Sequence, residues 1–194
     1  MGGLLSLSRG IDRVTETAGR WVQWLILASI LVSAANATIR KVFDSSSNAW
    51  LELQWFLFGA AFLVAAAHTL RQNEHIRIDI VYGMFSRRTQ HWIDLLGHIF
   101  FLLPFVLLMT WLLAPYAWQA FSSGEGSTNA GGLPVWPARL FLLSGFALLV
   151  LQAISEIIKK IAVMADVIPD PTPFVSSHEA ALKEGEMTAA EIHK

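Results

Sequence analysis

The sequence predicts an all-α integral membrane protein: four transmembrane helices, with a cytoplasmic interfacial amphipathic segment between helices 2 and 3. Three observations predict it. The 194-residue chain is 54% hydrophobic and only 15% charged, where soluble domains carry about 25% charged residues. Its apolar residues fall into four long runs, and at ~1.5 Å per residue about 20 of them cross a ~30 Å hydrocarbon layer. Between the second and third runs lies the most charged internal stretch, Arg71-Gln72-Asn73-Glu74-His75-Ile76-Arg77-Ile78-Asp79-Ile80, reaching on to Arg87-Arg88. Unpaired charges and open backbone groups cost several kcal/mol each in hydrocarbon, so this island belongs at a membrane surface.

Residues 1–20 read as a short polar cytoplasmic arm with Arg9, Arg13 and Arg20. Residues 21–160 form the membrane domain, its spans near residues 21–43, 50–70, 92–121 and 138–158. The first run holds Ser29, Ser33 and Ala37 every four residues, a small-residue stripe of the kind that lets membrane helices approach closely. Ala35-Asn36-Ala37 resembles a signal-peptide cleavage site, but the polar stretch before the run is long for a signal peptide. The run is therefore read as an uncleaved anchor. The second run carries Glu52 and Gln54 near its start and His68 near its end. Glu52, Trp55 and Gly59 share a helix face by their i, i+3, i+7 spacing. A carboxylate at the edge of a span is either a functional group or one solvated among the headgroups.

In the island, Ile76, Ile78 and Ile80 alternate with Arg77 and Asp79, which fits a short extended piece. The preferred reading is an interfacial helix over residues 80–85, capped by Asp79 and stopped at Ser86-Arg87-Arg88. The third run is long for one perpendicular crossing, so tilt or extension beyond the bilayer is expected. Pro104 and Pro115 lie inside it, and each removes a backbone hydrogen bond. A Gly- and Ser-rich loop holds Glu125 and Ser127 and ends at Leu133-Pro134-Val135-Trp136-Pro137. Pro137 suits the first turn of the following helix. Beyond Lys159-Lys160, prolines at 169, 171 and 173 interrupt a polar tail over residues 161–194 that reads as mobile.

Basic residues give the orientation. Arg9, Arg13, Arg20, Arg71, Arg77, Arg87, Arg88, Lys159 and Lys160 fall on one side; Arg40, Lys41 and Arg139 fall on the other. The bias puts both termini in the cytoplasm. Eight tryptophans, several near the ends of runs, suit an aromatic belt.

Catalytic chemistry is hard to find. Without cysteine there is no thiol nucleophile or thiolate metal site. Neither a phosphate-binding glycine loop nor a G-x-S-x-G turn occurs. Glu74, His75 and Asp79 are more simply caps and ion pairs than a metal cluster. No enzyme activity, cofactor or nucleic-acid partner is expected. One alternative remains: His68 and His98, at similar depth on adjacent spans, would be axial ligands of a haem b, making the chain an anchor subunit of a respiratory enzyme.

The four-span layout, Glu52 with Trp55, and Asn73-Glu74-His75-Ile76-Arg77-Ile78-Asp79 between spans two and three resemble a known family. It is the small membrane subunit, DctQ type, of tripartite ATP-independent periplasmic (TRAP) transporters. Gly124-Glu125-Gly126-Ser127 and Leu133-Pro134-Val135-Trp136-Pro137 add to the resemblance, which covers roughly residues 15–160. It implies a bacterial inner-membrane accessory or scaffold subunit without catalytic residues. Its partners would be a large membrane subunit carrying the substrate and sodium pathway, a periplasmic solute-binding protein, and membrane lipids. The complex would take up an organic acid, often a carboxylate, by symport driven by ion gradients. Glu52, Trp55, Asn73, His75, Arg77, Asp79, Glu125, Ser127, Pro134 and Trp136 are the interface or structural candidates. Some members are fused to the large subunit; the free polar tail here reads as a separate polypeptide.

Overall fold

The structure, a computed structural model, describes residues 2–45, 47–73, 82 and 84–170. Among the described residues four long helices make the fold: α1 Gly2–Phe43, α2 Asn48–Gln72, α3 Arg87–Ser123 and α4 Trp136–Met164. Each is long and apolar enough to cross a membrane. The described residues contain no strand, only an isolated antiparallel bridge between Gly126 and Pro134. His75, Arg77 and Asp79, and residues 80, 81 and 83 of the expected interfacial helix over residues 80–85, lie outside the described residues.

The first helix is longer than the run of apolar residues. It has 42 residues, about 63 Å at the α-helical rise, roughly twice a hydrocarbon layer. Where the sequence suggests a polar arm over residues 1–20, the helix simply continues. Ser8, Ile11 and Thr15 recur at helical spacing and are 2%, 8% and 0% exposed, while Arg9 and Arg13 face outward. This polar half of α1 docks on the end of α4, and that docking replaces the bilayer as its source of order.

The third helix changes pitch. Residues His98–Leu102 form a π-helical turn between two α-helical stretches, Arg87–Gly97 and Leu103–Ser123. The Leu103 N–H reaches back to the His98 carbonyl. Pro104 supplies the reason: it has no N–H to donate, and its ring crowds the carbonyl one turn earlier. Widening that turn relieves the crowding without breaking the helix.

Small residues bring the helices together. Ala60, Ala61 and Ala67 of α2, Ala117 and Ala120 of α3, and Ala153 and Ala162 of α4 are at most 3% exposed. At Gly145 an added Cβ would sit 2.6 Å from Leu63 Cβ, so α4 and α2 touch almost backbone to backbone. Ser29 of the small-residue stripe is buried and donates to the Gln54 carbonyl at 3.1 Å, joining α1 to α2.

The four helices do not close into a ring. α1 packs on α2 and α4, and α2 packs on α4, but α3 packs chiefly along α4. Phe105 meets Phe146 edge to face, with 6.1 Å between ring centroids, on that seam. A groove lined by Leu70, Asp94, His98, Phe101 and Phe105 stays open beside α3. The molecule is an open helical layer with α4 at its centre. Trp55, Phe58 and Phe62 form an outward stripe on α2, and Phe101, Trp111 and Trp118 point outward from α3.

Candidate functional site

Polar side chains gather at the two ends of this layer. At the loop end, Glu52 stands in the first turns of α2 and reaches across to the connection between α3 and α4. Its Oε2 accepts the Leu133 backbone N–H at 2.6 Å. Its Oε1 accepts the Asn129 amide at 2.8 Å and the Ser127 hydroxyl. Three donors on one loop thus converge on one carboxylate, the charge-assisted arrangement that holds most strongly. Asn48, at the start of α2, donates to the Ala130 carbonyl at 2.9 Å and adds a second tie.

The loop is shaped for this grip. Gly124 ends α3 in the left-handed conformation, φ 64°, with its N–H on the Ala120 carbonyl. Ser127 N–H donates to the Leu133 carbonyl at 3.0 Å, and Val135 N–H to the Glu125 carbonyl at 3.1 Å. Gly132 lies so close that an added Cβ would sit 2.6 Å from both Glu52 Oε1 and Ser127 Cβ. Arg139, in the first turn of α4, pairs with Glu125 at 2.6 Å and stacks on the Tyr116 ring at 3.7 Å. Trp136 meets Phe121 edge to face at 5.6 Å. The connection is a clasp made from α2, α3 and α4 together.

At the opposite end a polar collar ties the outer half of α1 to α4. Asp12 accepts from Gln152 at 3.0 Å, Ser155 at 2.8 Å and Lys159 at 3.2 Å. The Ser8 and Ser155 hydroxyls meet at 2.7 Å. Burial pushes the Asp12 carboxyl up, but the Gln152 and Ser155 hydrogen bonds and the Lys159 ammonium outweigh it and hold it below the usual carboxylate range. Glu16 bridges Arg20 at 2.7 Å and Arg71 at 3.1 Å, bringing in the end of α2. Lys160 pairs with Asp94 at 2.6 Å, bringing in α3. Asp170, past the end of α4, meets Arg87 at 2.6 Å and His91 at 3.2 Å.

Of the residues singled out from sequence, Glu52, Ser127 and Pro134 come together in the clasp, with Glu125 and Trp136 at its edge. Trp55 does not join them: it is 74% exposed on the outward stripe of α2, so the face it shares with Glu52 parts within one turn. Asn73 ends α2 in the left-handed conformation, φ 59°, its N–H bonded to the Leu70 carbonyl at 3.2 Å. Asparagine tolerates that conformation better than most residues. Sequence reasoning passed over Asn48, Asn129 and Gly132 in the clasp and Asp12, Gln152 and Ser155 in the collar. The collar did leave a signal. Ser8, Asp12 and Thr15 in the polar arm and Gln152, Ser155 and Lys159 in the last run both recur at helical spacing.

Fold and site together define a class: a four-span membrane protein whose polar groups fasten helices and, among the described residues, gather no set of His, Asp or Glu fit to hold a metal. The family model described as "Tripartite ATP-independent periplasmic transporters, DctQ component" matches residues 29–163, and the chain belongs to that family. Comparison with curated proteins and with solved structures finds no match. The matched region contains the whole clasp but only the α2, α3 and α4 side of the collar.

The haem alternative gains nothing from this. The family is that of a transporter component. The His68 ring packs against α1, where an added Cβ at Gly19 would lie 2.5 Å from its Nδ1. His98 opens the π turn and lines the groove beside α3.

Proposed function

We propose that this chain is the scaffold subunit of a sodium-coupled TRAP transporter that takes up an organic acid delivered by a periplasmic binding protein. The observation that carries the reading is the family match running through all four helices. A tripartite system implies two further components, and the open layer supports a bracing role. A groove beside α3 and an aromatic stripe on α2 offer large apolar surfaces to a neighbour in the membrane. In this reading the chain lies in the bacterial inner membrane with both termini cytoplasmic. The clasp then faces the periplasm and presents an ordered loop to the solute-binding protein. The collar and the island of His75, Arg77 and Asp79 then lie at the inner surface.

The scaffold carries no solute itself. Extraction in a gentle detergent should bring this chain down with a much larger membrane protein, and sodium-driven uptake of the acid should stop without it. Stoichiometric solute binding by the isolated chain, or flux through liposomes holding this chain alone, would overturn the reading.

A further inference from the structure

At the loop end a cavity of about 440 Å³ opens between α1 and α2, on the side away from the clasp. Ser33, Asn36, Arg40 and Lys41 of α1 line it, with Asp44 at its rim and Gln54 across on α2. Its volume falls in the range of small-molecule sites. Every polar side chain here is unmatched: among the described residues Asn36, Arg40, Lys41 and Asp44 make no side-chain hydrogen bond or ion pair within the chain. Asn36 is only 7% exposed, and what remains uncovered lines the cavity. Its amide is left to be satisfied by whatever fills that space. Arg139, the other cation at this end, is satisfied by Glu125. Arg40 and Lys41 do stand in the last turn of α1 and complement its negative end. That explains their charge, but neither the cavity nor the amide that opens into it.

We propose that this cavity seats the headgroup of an ethanolamine phospholipid. The two cations take the phosphate, the Asp44 carboxylate takes the ammonium, and Asn36 and Gln54 offer amides to the glycerol ester oxygens. Depth favours a lipid over a soluble anion. Arg40 and Lys41 lie within one turn of the end of an apolar span, the level at which phosphates line a bilayer. Asp44 beside the cations favours a zwitterion over a purely anionic headgroup. The proposal needs only that the chain cross a membrane. It holds in either orientation and does not depend on the transporter reading.

Native mass spectrometry of the full chain released from nanodiscs of equal phosphatidylethanolamine and phosphatidylglycerol tests it. The expected result is one retained ethanolamine lipid. Arg40→Gln with Lys41→Gln should cut that retention by about tenfold, as the loss of charge-assisted hydrogen bonds implies. Lys41→Arg should keep it, which separates charge from folding. Asp44→Asn should keep a lipid but lose the preference for ethanolamine. Equal retention by the double variant and the unaltered chain would overturn the proposal. So would displacement of the lipid by millimolar inorganic phosphate, which marks a free-anion site.

Discussion

Glu52 accepts hydrogen bonds from residues 75, 77 and 81 positions away. Its geometry sets two expectations at the scale of single residues. Glu52→Ala would leave the Leu133 N–H and the Asn129 amide without their acceptor, and the loop should loosen while the helices stay formed. Hydrogen exchange at the Leu133 amide should quicken by about tenfold, with helix content unchanged by circular dichroism. Gly132→Ala drives a methyl into Glu52 and Ser127, a clash worth about 1–3 kcal/mol. It should lower the thermal midpoint in detergent and expose the loop to protease. The same variant at Gly126, where no atom lies within 4 Å of an added Cβ, should do neither.

At the scale of elements, the outer half of α1 is held by charge. The Asp12 carboxyl is depressed on folding, so its contribution is fully present above the usual carboxylate range. It fades as pH falls through the lowered folded value. Glu16, held down by its hydrogen bond from Arg20 and the charge of Arg71, acts in the same acidic window. Hydrogen exchange over residues 2–20, taken relative to the intrinsic rate at each pH, should therefore be slow near neutral pH and speed up below about pH 4. Asp12→Asn should make it faster at neutral pH and less sensitive to acid. The tie between α3 and α4 differs in kind. Lys160 and Asp94 are 13% and 7% exposed at the side chain, and removing one partner of a buried pair costs about 3 kcal/mol or more. Asp94→Asn should lower the thermal midpoint, and Asp94→Asn with Lys160→Met should recover much of it.

The whole molecule is a layer braced at both rims and apolar across its faces. Fastening at the rims suits a protein in a bilayer, where apolar burial gives no drive for helices to associate and close packing and polar ties must do so. A reporter fused at Gly126 tests its orientation. Activity on the periplasmic side, with reporters at both termini active in the cytoplasm, is the expected outcome.

Much of the fold could be read directly from the chain. Four apolar runs, the Pro137 start of α4 and the Gly- and Ser-rich loop depend on sums over neighbouring residues, because transfer into hydrocarbon is a local property. Glu52 stood out for the same reason, as a charge at the edge of an apolar run. What it holds did not, since Ser127, Asn129 and Leu133 reach it only once α2, α3 and α4 are packed. The tertiary structure alone decided that residues 2–20 continue α1, that α3 joins the layer along one neighbour, and that Trp55 faces away from Glu52. Each of these depends on which surfaces meet; the spacing of Ser8, Asp12 and Thr15 marks a helical face, but nothing in the linear sequence says which distant segment that face will touch.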